Sequence, residues 1–486
     1  PLLAIGGCLA IFVANVGVVA RIGRSLNRGY WLPLAAAATA GNWVFSSYAT
    51  TGMETGFCAL LVLLGLHALL GADRPARYAH AGLWFILAAL TRPDHGLFYA
   101  IASGIVGLEG LRRLRSKEAP RAVLLDWLGW SAPFTIYLAY VAWKIGFYGH
   151  LLPNTYYAKS ADLAWWSQGA LYGVLFWLGA NAWMVGLGAL GFALLPGDRP
   201  QRRFSAFTVT SLVLYTLYTA KVGGDFMYGR FFVTLIPLVL LATEGLVFRL
   251  LDRRWTLVAA LFALIASAAP VTLFEGAGER WGIVDENQYW RVEALRPEVK
   301  VRAVHWKLGR FLRDQVRAKG LEPVLGSGGI GMVGYYSGLT LIDSRGLTDA
   351  TIARQPLAKR KRPGHEKVAP REYLLERGVH LLRLKGGQRG FHPKRFRKLS
   401  RFSLSGAGIR DAWQIAHYDR DLMKGLSTVK GVDFVDFEAW LERYVRKLPD
   451  TPPADVKRDL PWLRQYWFDH NPDPERLRAI EARAGR

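Results

Sequence analysis

Apolar runs of membrane-spanning length dominate the first 273 residues of the chain, and short polar turns separate them. Runs of this length and composition are typical of helices that cross a lipid bilayer. We therefore predict a polytopic α-helical membrane domain over residues 1–273, with about ten helices. The ten predicted segments are Pro1–Ala20, Tyr30–Tyr48, Gly56–Leu70, Ala79–Leu90, Gly96–Leu111, Leu124–Trp143, Gly169–Leu195, Phe204–Ala220, Phe231–Val247 and Trp255–Leu273.

Two of these segments are short, and the sequence Thr91-Arg92-Pro93-Asp94-His95 divides them. Proline lacks an amide hydrogen and cannot continue a helix without losing a backbone bond. The pattern predicts either a tight hairpin or a broken helix at this point. A broken helix at membrane depth is tolerated only where it lines a polar cavity.

The basic residues alternate between poor and rich turns, which predicts the orientation of the helices. One set of turns carries 16 Lys and Arg residues and the alternating set carries 5. Because cytoplasmic turns collect Lys and Arg, we assign the rich set to the cytoplasm. Residue 1 and everything after Leu273 are then expected outside. The rich set is Arg21, Arg24, Arg28, Arg74, Arg77, Arg112, Arg113, Arg115, Lys117, Arg121, Arg199, Arg202, Arg203, Arg249, Arg253 and Arg254; the poor set is Arg92, Lys144, Lys159, Lys221 and Arg230.

Beyond residue 273 the chain reads as a soluble one, rich in charge. Short strand-like runs alternate with helical patterns, which is typical of a small α/β domain. We predict such an extracytoplasmic domain over residues 274–450, followed by a Pro-rich charged tail, helical or loosely ordered, over residues 451–486. The strand-like runs are Val324–Gly326, Leu339–Asp343 and His380–Leu384, and the helical patterns are Arg302–Lys319 and Arg371–Arg377.

The formal net charge of the chain is +24. Such a value is common in nucleic-acid-binding proteins. Here, however, much of the basic charge lies in turns between apolar helices, so the expected partner is the lipid bilayer and not nucleic acid. The two cysteines, Cys8 and Cys58, lie in apolar runs and form no metal motif. No cofactor is evident and no metal ligands are assigned, although a divalent cation held by neighbouring carboxylates stays open.

Four turns on the predicted outer face carry more polar chemistry than a helix connection needs. They are Thr50–Gly56, Thr91–His95, Tyr148–Lys159 and Lys221–Arg230. One interpretation is structural: Asp94 would pair with Arg92, and Asp225 with Arg230 or Lys221. The other is a site, since charged groups near the hydrocarbon usually pair or face a cavity.

As a site, the four turns offer groups for phosphate and for sugar. Arginine and lysine suit a phosphate, so Arg92, Lys159, Lys221 and Arg230 are the candidate donor-phosphate ligands. The candidate sugar- or acceptor-binding residues are Glu54, His150, Asn154, Tyr156, Tyr157 and Tyr228. Tyr156 and Tyr157 equally fit an interfacial aromatic belt, and His150 an ordinary loop histidine. The Gly223-Gly224 pair would let the backbone approach a ligand closely.

Several motifs resemble those of GT-C type membrane glycosyltransferases, and in particular the mycobacterial arabinofuranosyltransferases. In the membrane part they are Thr-Gly-Met-Glu-Thr-Gly at 51–56, Thr-Arg-Pro-Asp at 91–94, Gly-His-Leu-Leu-Pro-Asn-Thr-Tyr-Tyr-Ala-Lys at 149–159 and Gly-Gly-Asp-Phe-Met-Tyr-Gly-Arg at 223–230. In the soluble part they are Gly-Tyr-Tyr-Ser-Gly-Leu at 334–339 and Ile-Asp-Ser-Arg-Gly-Leu-Thr-Asp at 342–349. The resemblance covers most of the chain to about residue 385.

The resemblance implies an enzyme of the bacterial plasma membrane that moves a sugar, arabinofuranose among the candidates, from a polyprenyl-phosphate donor to a cell-envelope glycan. It also implies a catalytic acid in an outer loop that follows the first helix. The present chain starts at a helix that would come after that loop, so we expect the main catalytic loop to lie upstream of Pro1. Asp94 and Asp225 are the remaining catalytic candidates.

Two other functions are compatible with the sequence. A lipid or glycan transporter would carry polar groups within its helices, at the membrane midplane. A non-catalytic cell-envelope assembly protein would bind glycan without turnover. The crowding of polar groups in the outer turns favours the transferase.

Overall fold

The computed structural model describes residues 2–27, 31–160, 162–179, 182–252, 254–259, 279–285, 304–383, 391–406 and 409–485. The chain divides into two compact units. The first comprises residues 1–153 and 161–289, and the second comprises residues 154–160 and 290–486.

Helices make up nearly all of the regular structure before residue 251. In chain order they are α1 (Leu2–Leu26), α2 (Leu34–Gly41), α3 (Trp43–Thr50), α4 (Thr55–Leu70), α5 (Pro75–Thr91), α6 (Gly96–Arg115), α7 (Pro120–Ser131), α8 (Phe134–Tyr148), α9 (Asn154–Ala158), α10 (Trp166–Gly179), α11 (Ala182–Leu194), α12 (Arg199–Val222) and α13 (Leu235–Leu250). Helix α9 belongs to the second unit and the other helices to the first.

The structure confirms the predominantly helical first part but not the ten predicted spans. Within the described ranges, two helical segments are long and apolar enough to cross a membrane, Leu3–Leu26 and Pro120–Tyr148. Helices α3 and α4 would add a third if that pair, bent by 109°, is one broken span. The predicted segment Trp255–Leu273 lies mostly outside the described residues, as do Arg28 and Arg253.

The predicted segment Tyr30–Tyr48 is not one helix. It contains α2 and α3, each of 8 residues, with Asn42 between them in an extended conformation. The Asn42 side chain accepts a hydrogen bond from the Phe45 amide at 2.9 Å and so forms the N-cap of α3. Asparagine stabilises a helix start in this way, which explains why an otherwise apolar run is divided here.

The core of the first unit forms where α1, α4, α5, α12 and α13 pack together. Val19, Val62, Phe85, Phe207 and Leu238 are all buried in it. Gly65 permits the approach of α5, because a Cβ atom there would lie 2.9 Å from the ring of Phe85. Three of the predicted polar turns are attached to these helices: one at the start of α4, one after α5 and one after α12.

The second unit contains a six-stranded sheet, and this confirms a sheet in the C-terminal region. The first unit holds β1 (Glu279–Arg280) and β2 (Ile283–Val284), which form a short antiparallel hairpin. The strands of the six-stranded sheet are β3 (Leu325–Ser327), β4 (Leu341–Asp343), β5 (Leu381–Arg383), β6 (Arg401–Gly406), β7 (Ile409–Ile415) and β8 (Val432–Phe434). Their order in the sheet is β4-β3-β5-β7-β6-β8; β3 is parallel to β4 and β5, and the remaining pairs are antiparallel.

Residues after Thr451 form helices that belong to the core of the second unit. Pro453–Leu463 and Pro474–Arg483 are helical. Tyr466 and Trp467, which lie between them, are fully buried and pack with Phe437. The segment that reads as a charged tail therefore supplies much of the aromatic core. The other helices of this unit are Val304–Phe311, Gly331–Ser337, Ala350–Ala353, Arg371–Glu376, Arg420–Ser427 and Phe437–Arg446.

Candidate functional site

The turn between α5 and α6 is built around an ion pair between Arg92 and Asp94. Pro93 ends the regular α-helix, and Pro93–His95 forms one turn of 3-10 helix before α6 begins. Arg92 donates from Nε to Asp94 Oδ1 at 3.0 Å and from Nη2 to Oδ2 at 2.7 Å. Both side chains are only about one-tenth exposed, at 11% and 10%. This bidentate arrangement is the geometry in which arginine binds a carboxylate most strongly.

Two further side chains bind the Asp94–His95 turn. The Tyr215 hydroxyl on α12 donates to Asp94 Oδ2 at 2.6 Å. His95 places Nδ1 3.4 Å from Asp94 Oδ1 and Nε2 3.0 Å from Thr234 Oγ1. Burial alone would raise the pKa of Asp94, but His95 and Arg92 outweigh it and hold the pKa of this carboxyl well below its usual value. Asp94 is therefore a carboxylate at neutral pH.

The first outer turn reaches the same arginine. Glu54, at the start of α4, has its Oε1 atom 3.5 Å from Arg92 Nη1. Its side chain is 43% exposed, so water screens this pair and it is weaker than the pair with Asp94. Arg92 is thus shared by two carboxylates, one fixed and one at the surface.

In the loop Lys221–Arg230, the buried carboxylate of Asp225 pairs with Arg230. The distance from Arg230 Nη2 to Asp225 Oδ2 is 2.6 Å, and Asp225 is fully buried. Gly223 and Gly224 precede it with φ angles of +86° and +69°. A Cβ atom on Gly224 would lie 2.5 Å from Tyr172 Cγ. In this structure the glycine pair thus serves packing against α10, and the prediction that it admits a ligand stays untested.

Tyrosine hydroxyls from two helices, α3 and α10, hold backbone groups in and beside this loop. Tyr172 donates to Met227 O at 2.9 Å and accepts from the Phe231 amide at 3.2 Å. Tyr48 donates to Tyr228 O at 2.7 Å. The Tyr228 hydroxyl donates to Leu175 O at 3.0 Å and its ring is buried. Strand β2 adds a bond from the Tyr228 amide to Val284 O at 2.9 Å. The structure thus gives Tyr228 a supporting position inside the loop.

The two arginines meet at one aromatic ring. The guanidinium carbon of Arg92 lies 5.4 Å from the centre of the Phe231 ring, and that of Arg230 lies 5.7 Å from it. Both distances are within the range of cation–π attraction. Three of the four predicted turns therefore converge in the first unit. We call Glu54, Arg92, Asp94, Asp225 and Arg230 the arginine–carboxylate cluster.

The third predicted turn is part of the second unit from Asn154 onward. Asn154 donates from Nδ2 to Gly346 O at 2.8 Å and to Leu347 O at 3.0 Å. The guanidinium of Arg354 lies 4.6 Å from the centre of the Tyr157 ring. The Asn154 bonds attach α9 to the loop after β4, within the motif Ile-Asp-Ser-Arg-Gly-Leu-Thr-Asp at 342–349.

The remaining predicted residues lie in more open surroundings. Lys221 is exposed at the end of α12, and His150 is exposed after α8. Tyr156 is half-buried and packs edge-on against Tyr157, with ring centres 5.5 Å apart. Lys159 is half-buried, and its Cε atom lies 3.5 Å from the position of a Cβ atom on Gly364.

The cluster is suited to holding charge rather than to moving protons. Asp94 and Asp225, the two candidate bases, are both paired with arginine at short distance. Asp94, whose pKa is held well below its usual value, is therefore a poor general base. Across the part of the chain that the structure describes, no group of three or more His, Cys, Asp or Glu side chains is arranged to hold a metal ion.

Three residues that contact this site were not predicted from the sequence. Tyr215, Tyr172 and Phe231 all lie in or beside apolar runs, where aromatic residues are expected on packing grounds alone. A hydroxyl-bearing side chain within an apolar run was the available signal for Tyr215, because polar groups inside membrane helices usually face a partner.

Part of the chain is similar to two curated proteins. The chain is 29% identical over 229 residues to a terminal β-(1→2)-arabinofuranosyltransferase of Corynebacterium glutamicum, covering 43% of this chain and 32% of that protein. It is 28% identical over 244 residues to the enzyme of the same name from Mycobacterium tuberculosis, covering 41% of this chain and 35% of that protein. The chain resembles terminal β-(1→2)-arabinofuranosyltransferases. It spans about a third of the length of these curated relatives.

The second unit has a match of its own. A family model described as a domain of unknown function (DUF8728) matches residues 289–421. No solved structure matches the chain.

Proposed function

We propose that the protein is a membrane glycosyltransferase of the cell envelope, and that the arginine–carboxylate cluster binds the phosphate of a polyprenyl-phosphate sugar donor. The resemblance to two arabinofuranosyltransferases supports the reaction class. The observation that carries the site is the convergence of Arg92 and Arg230 on Phe231. An arabinofuranosyl donor and a GT-C arrangement of about ten helices, with the cluster on the outer face, are part of the proposal.

The chemistry follows from the charges in the cluster. When the acceptor hydroxyl attacks the anomeric carbon, the bond to the donor phosphate breaks and negative charge grows on the phosphate oxygens. Fixed guanidinium groups stabilise such charge in a site from which water is excluded. Asp94 and Asp225 hold the two arginines in place before the donor arrives. Glu54, the exposed partner, is the carboxylate that would leave Arg92 to the phosphate.

The remaining predicted ligands enter the proposal with different roles. Lys221 extends the basic surface for the lipid phosphate, and His150 serves the acceptor glycan. In the second unit, Lys159 stays a predicted phosphate ligand, and Asn154, Tyr156 and Tyr157 stay predicted sugar or acceptor ligands. Tyr228 acts as a positioning residue, since its hydroxyl and its carbonyl are both engaged in the loop. A base outside the arginine–carboxylate cluster takes the proton of the acceptor hydroxyl.

The experiment is transfer from a polyprenyl-phosphoryl arabinofuranose to an oligosaccharide acceptor, using the full-length protein in proteoliposomes. Arg230→Gln and Arg92→Gln are expected to lower kcat by about 10²–10³, the effect of losing one transition-state donor. Arg230→Lys should retain part of the activity, since charge stays while the bidentate geometry is lost. Asp225→Asn tests the holding role and should lower kcat less than Arg230→Gln.

Arg77→Gln is the matched control, because Arg77 also pairs with an aspartate, at 3.1 Å, but lies exposed at the start of α5. It should transfer at the normal rate. Full activity of correctly inserted Arg92→Gln and Arg230→Gln would refute the phosphate-binding role. Binding of glycan without any turnover in the wild-type protein would refute the transferase.

A further inference from the structure

A cavity of about 550 Å³ that shares no residue with the arginine–carboxylate cluster is lined by five arginines. It is formed where α6 ends and α12 begins. The arginines are Arg112, Arg113, Arg199, Arg202 and Arg203. All five belong to the turns that we place in the cytoplasm.

Two of these arginines are occupied by the fold. Arg203 is almost fully buried, and donates from Nη1 to Leu69 O at 2.6 Å and to Ala72 O at 2.8 Å, and from Nη2 to Glu109 Oε2 at 2.7 Å. Arg113 pairs with Glu118 and with Asp126. Arg203 thus adds a donor to carbonyl groups at the end of α4 and just after it. We therefore leave these two side chains out of the proposed lipid site.

The other side of the cavity keeps an excess of positive charge. Arg202 donates to Gly197 O at 3.2 Å, and no carboxylate pairs with Arg112 or Arg202 among the residues that the structure describes. Arg199 Nη2 lies 3.2 Å from Glu109 Oε2, the same carboxylate oxygen that Arg203 binds, and the Arg199 side chain is 42% exposed. The carboxylates Glu118 and Asp73 are each taken by another arginine, Asp73 by Arg77. The open side of the cavity therefore attracts an anion.

Exposed apolar side chains continue from this charge along both helices. On α6, Leu108 lies one turn from Arg112 and is 59% exposed. On α12, Ala206 lies one turn from Arg202, and the same face continues to Val213, which is 51% exposed. A second cavity, of about 320 Å³, shares Arg202 and Ala206 and adds apolar lining. The surface thus offers a positively charged, anion-binding pocket at one end and apolar walls at the other.

From this juxtaposition we infer that the cavity at Arg112, Arg199 and Arg202 binds the phosphodiester headgroup of an anionic phospholipid, with its acyl chains against α6 and α12. Basic pockets between membrane helices are known to take such headgroups. Free phosphate would use the same guanidinium groups but not the apolar walls, which favours the lipid. The inference rests on the proposed membrane placement, and it is independent of the sugar-transfer site.

The test measures phospholipid binding to the full-length protein in detergent, by native mass spectrometry and by thermal unfolding. Phosphatidylglycerol should bind and raise Tm, while phosphatidylcholine should not. Arg112→Gln combined with Arg202→Gln should weaken phosphatidylglycerol binding about thirtyfold, since each basic residue near an anionic headgroup contributes about fivefold. The combined variant Arg115→Gln and Arg121→Gln removes two charges from the same end but from outside the cavity, and should bind normally.

Each outcome decides the inference. Equal loss in both double variants would show a general surface charge effect and overturn the site. A rise in Tm with inorganic phosphate alone, as large as with the lipid, would overturn the lipid as ligand. Sugar transfer in phosphatidylcholine proteoliposomes separates this inference from the proposed function: the Arg112 and Arg202 variant should keep it there, so that loss of lipid binding with intact transfer supports the inference alone.

Discussion

At the scale of single residues, the candidate site depends on how buried charges are matched. Arg92 and Asp94 are both about nine-tenths buried, and charged groups in such surroundings persist only when each is paired. Tyr215 completes the set by donating to the same carboxylate. The sequence made Arg92 and Asp94 visible as neighbours, whereas Tyr215 comes from a helix more than a hundred residues later.

Tyr215→Phe removes one donor from a buried carboxylate and keeps the ring. We expect the free energy of unfolding to fall by about 1.5–3 kcal/mol, the range for hydrogen bonds to charged groups. Chemical denaturation in detergent measures it. Tyr140→Phe, at a partly exposed tyrosine of α8, is the control and should change stability by less than 0.5 kcal/mol, as surface substitutions usually do. Equal effects of the two substitutions would contradict the role of the Tyr215 hydroxyl.

A second residue-scale prediction concerns His392 in the second unit. Its Nδ1 atom accepts from Trp462 Nε1 at 2.9 Å, and its Nε2 atom lies 2.5 Å from Ile415 O. Both contacts are satisfied only by the neutral ring with its proton on Nε2. Burial is the main cause that lowers the pKa of His392 to about 4, and burial likewise lowers the pKa of His417 to about 3.

The unfolded chain binds protons on these histidines near pH 6.5, while the folded one does so only near their lowered pKa values. Stability is therefore fully present above pH 6.5 and is lost as the pH falls toward 4 and 3. The expected slope is about 1.4 kcal/mol per pH unit for each histidine. Denaturation followed by tryptophan fluorescence from pH 7 to pH 4 checks this, and His417→Phe should make the slope shallower. A stability that is constant over this range would contradict the prediction.

At the scale of elements, the loop after α12 shows how a glycine is required by packing. Gly224 has a φ angle of +69°, and its α-carbon approaches Tyr172 so closely that a Cβ atom would lie 2.5 Å from the ring. The left-handed conformation alone costs other residues about 1–2 kcal/mol. The clash adds the cost of moving a buried ring whose hydroxyl holds Met227 and Phe231.

Gly224→Ala should therefore lower the free energy of unfolding by about 2–4 kcal/mol, from the sum of backbone strain and overpacking. Gly52→Ala is the matched control, since Gly52 also has a positive φ angle, +81°, but has nothing within 4 Å of an added Cβ atom. That substitution should cost about 1–2 kcal/mol. Thermal unfolding of both variants in detergent measures the difference, and equal losses would show that Tyr172 does not constrain this loop.

At the scale of the whole molecule, the C-terminal segment decides whether the second unit has a complete core. Trp467 is fully buried, and Tyr418, Phe437 and Arg420 lie against its ring. Trp462 stacks on Phe396 with ring centres 3.8 Å apart. Such rings bury large apolar areas, so their removal leaves cavities that the neighbours cannot fill.

Trp467→Ala is expected to destabilise the second unit by about 3–5 kcal/mol, and a chain that ends at Pro452 should leave this unit unfolded. Limited proteolysis tests the substitution and the truncation, since cleavage within residues 304–452 should become faster in each. Trp166→Ala, at an exposed tryptophan of α10, serves as the control and should leave the digestion pattern unchanged. Resistance of the truncated chain to proteolysis would contradict the prediction.

What the sequence by itself determined is local. Apolar runs predicted helices, Pro93 predicted the interruption before α6, and short β-branched and leucine runs predicted β3, β4 and β5, because hydrophobic period and proline geometry act over a few residues. The strands β6, β7 and β8 were not predicted; in β7 the neighbouring charges Arg410 and Asp411 interrupt the alternation that indicates a strand.

Only the tertiary structure decided which distant groups meet. Asn42 ended α2 in the middle of an apolar run, through a cap that depends on backbone direction. Glu54, Arg92 and Arg230 come from three separate turns. The packing of α4, α5 and α12 brings Glu54 to Arg92, and brings Arg92 and Arg230 to the ring of Phe231. These charges are buried in pairs, because a buried charge without a counter-charge costs a large amount of free energy.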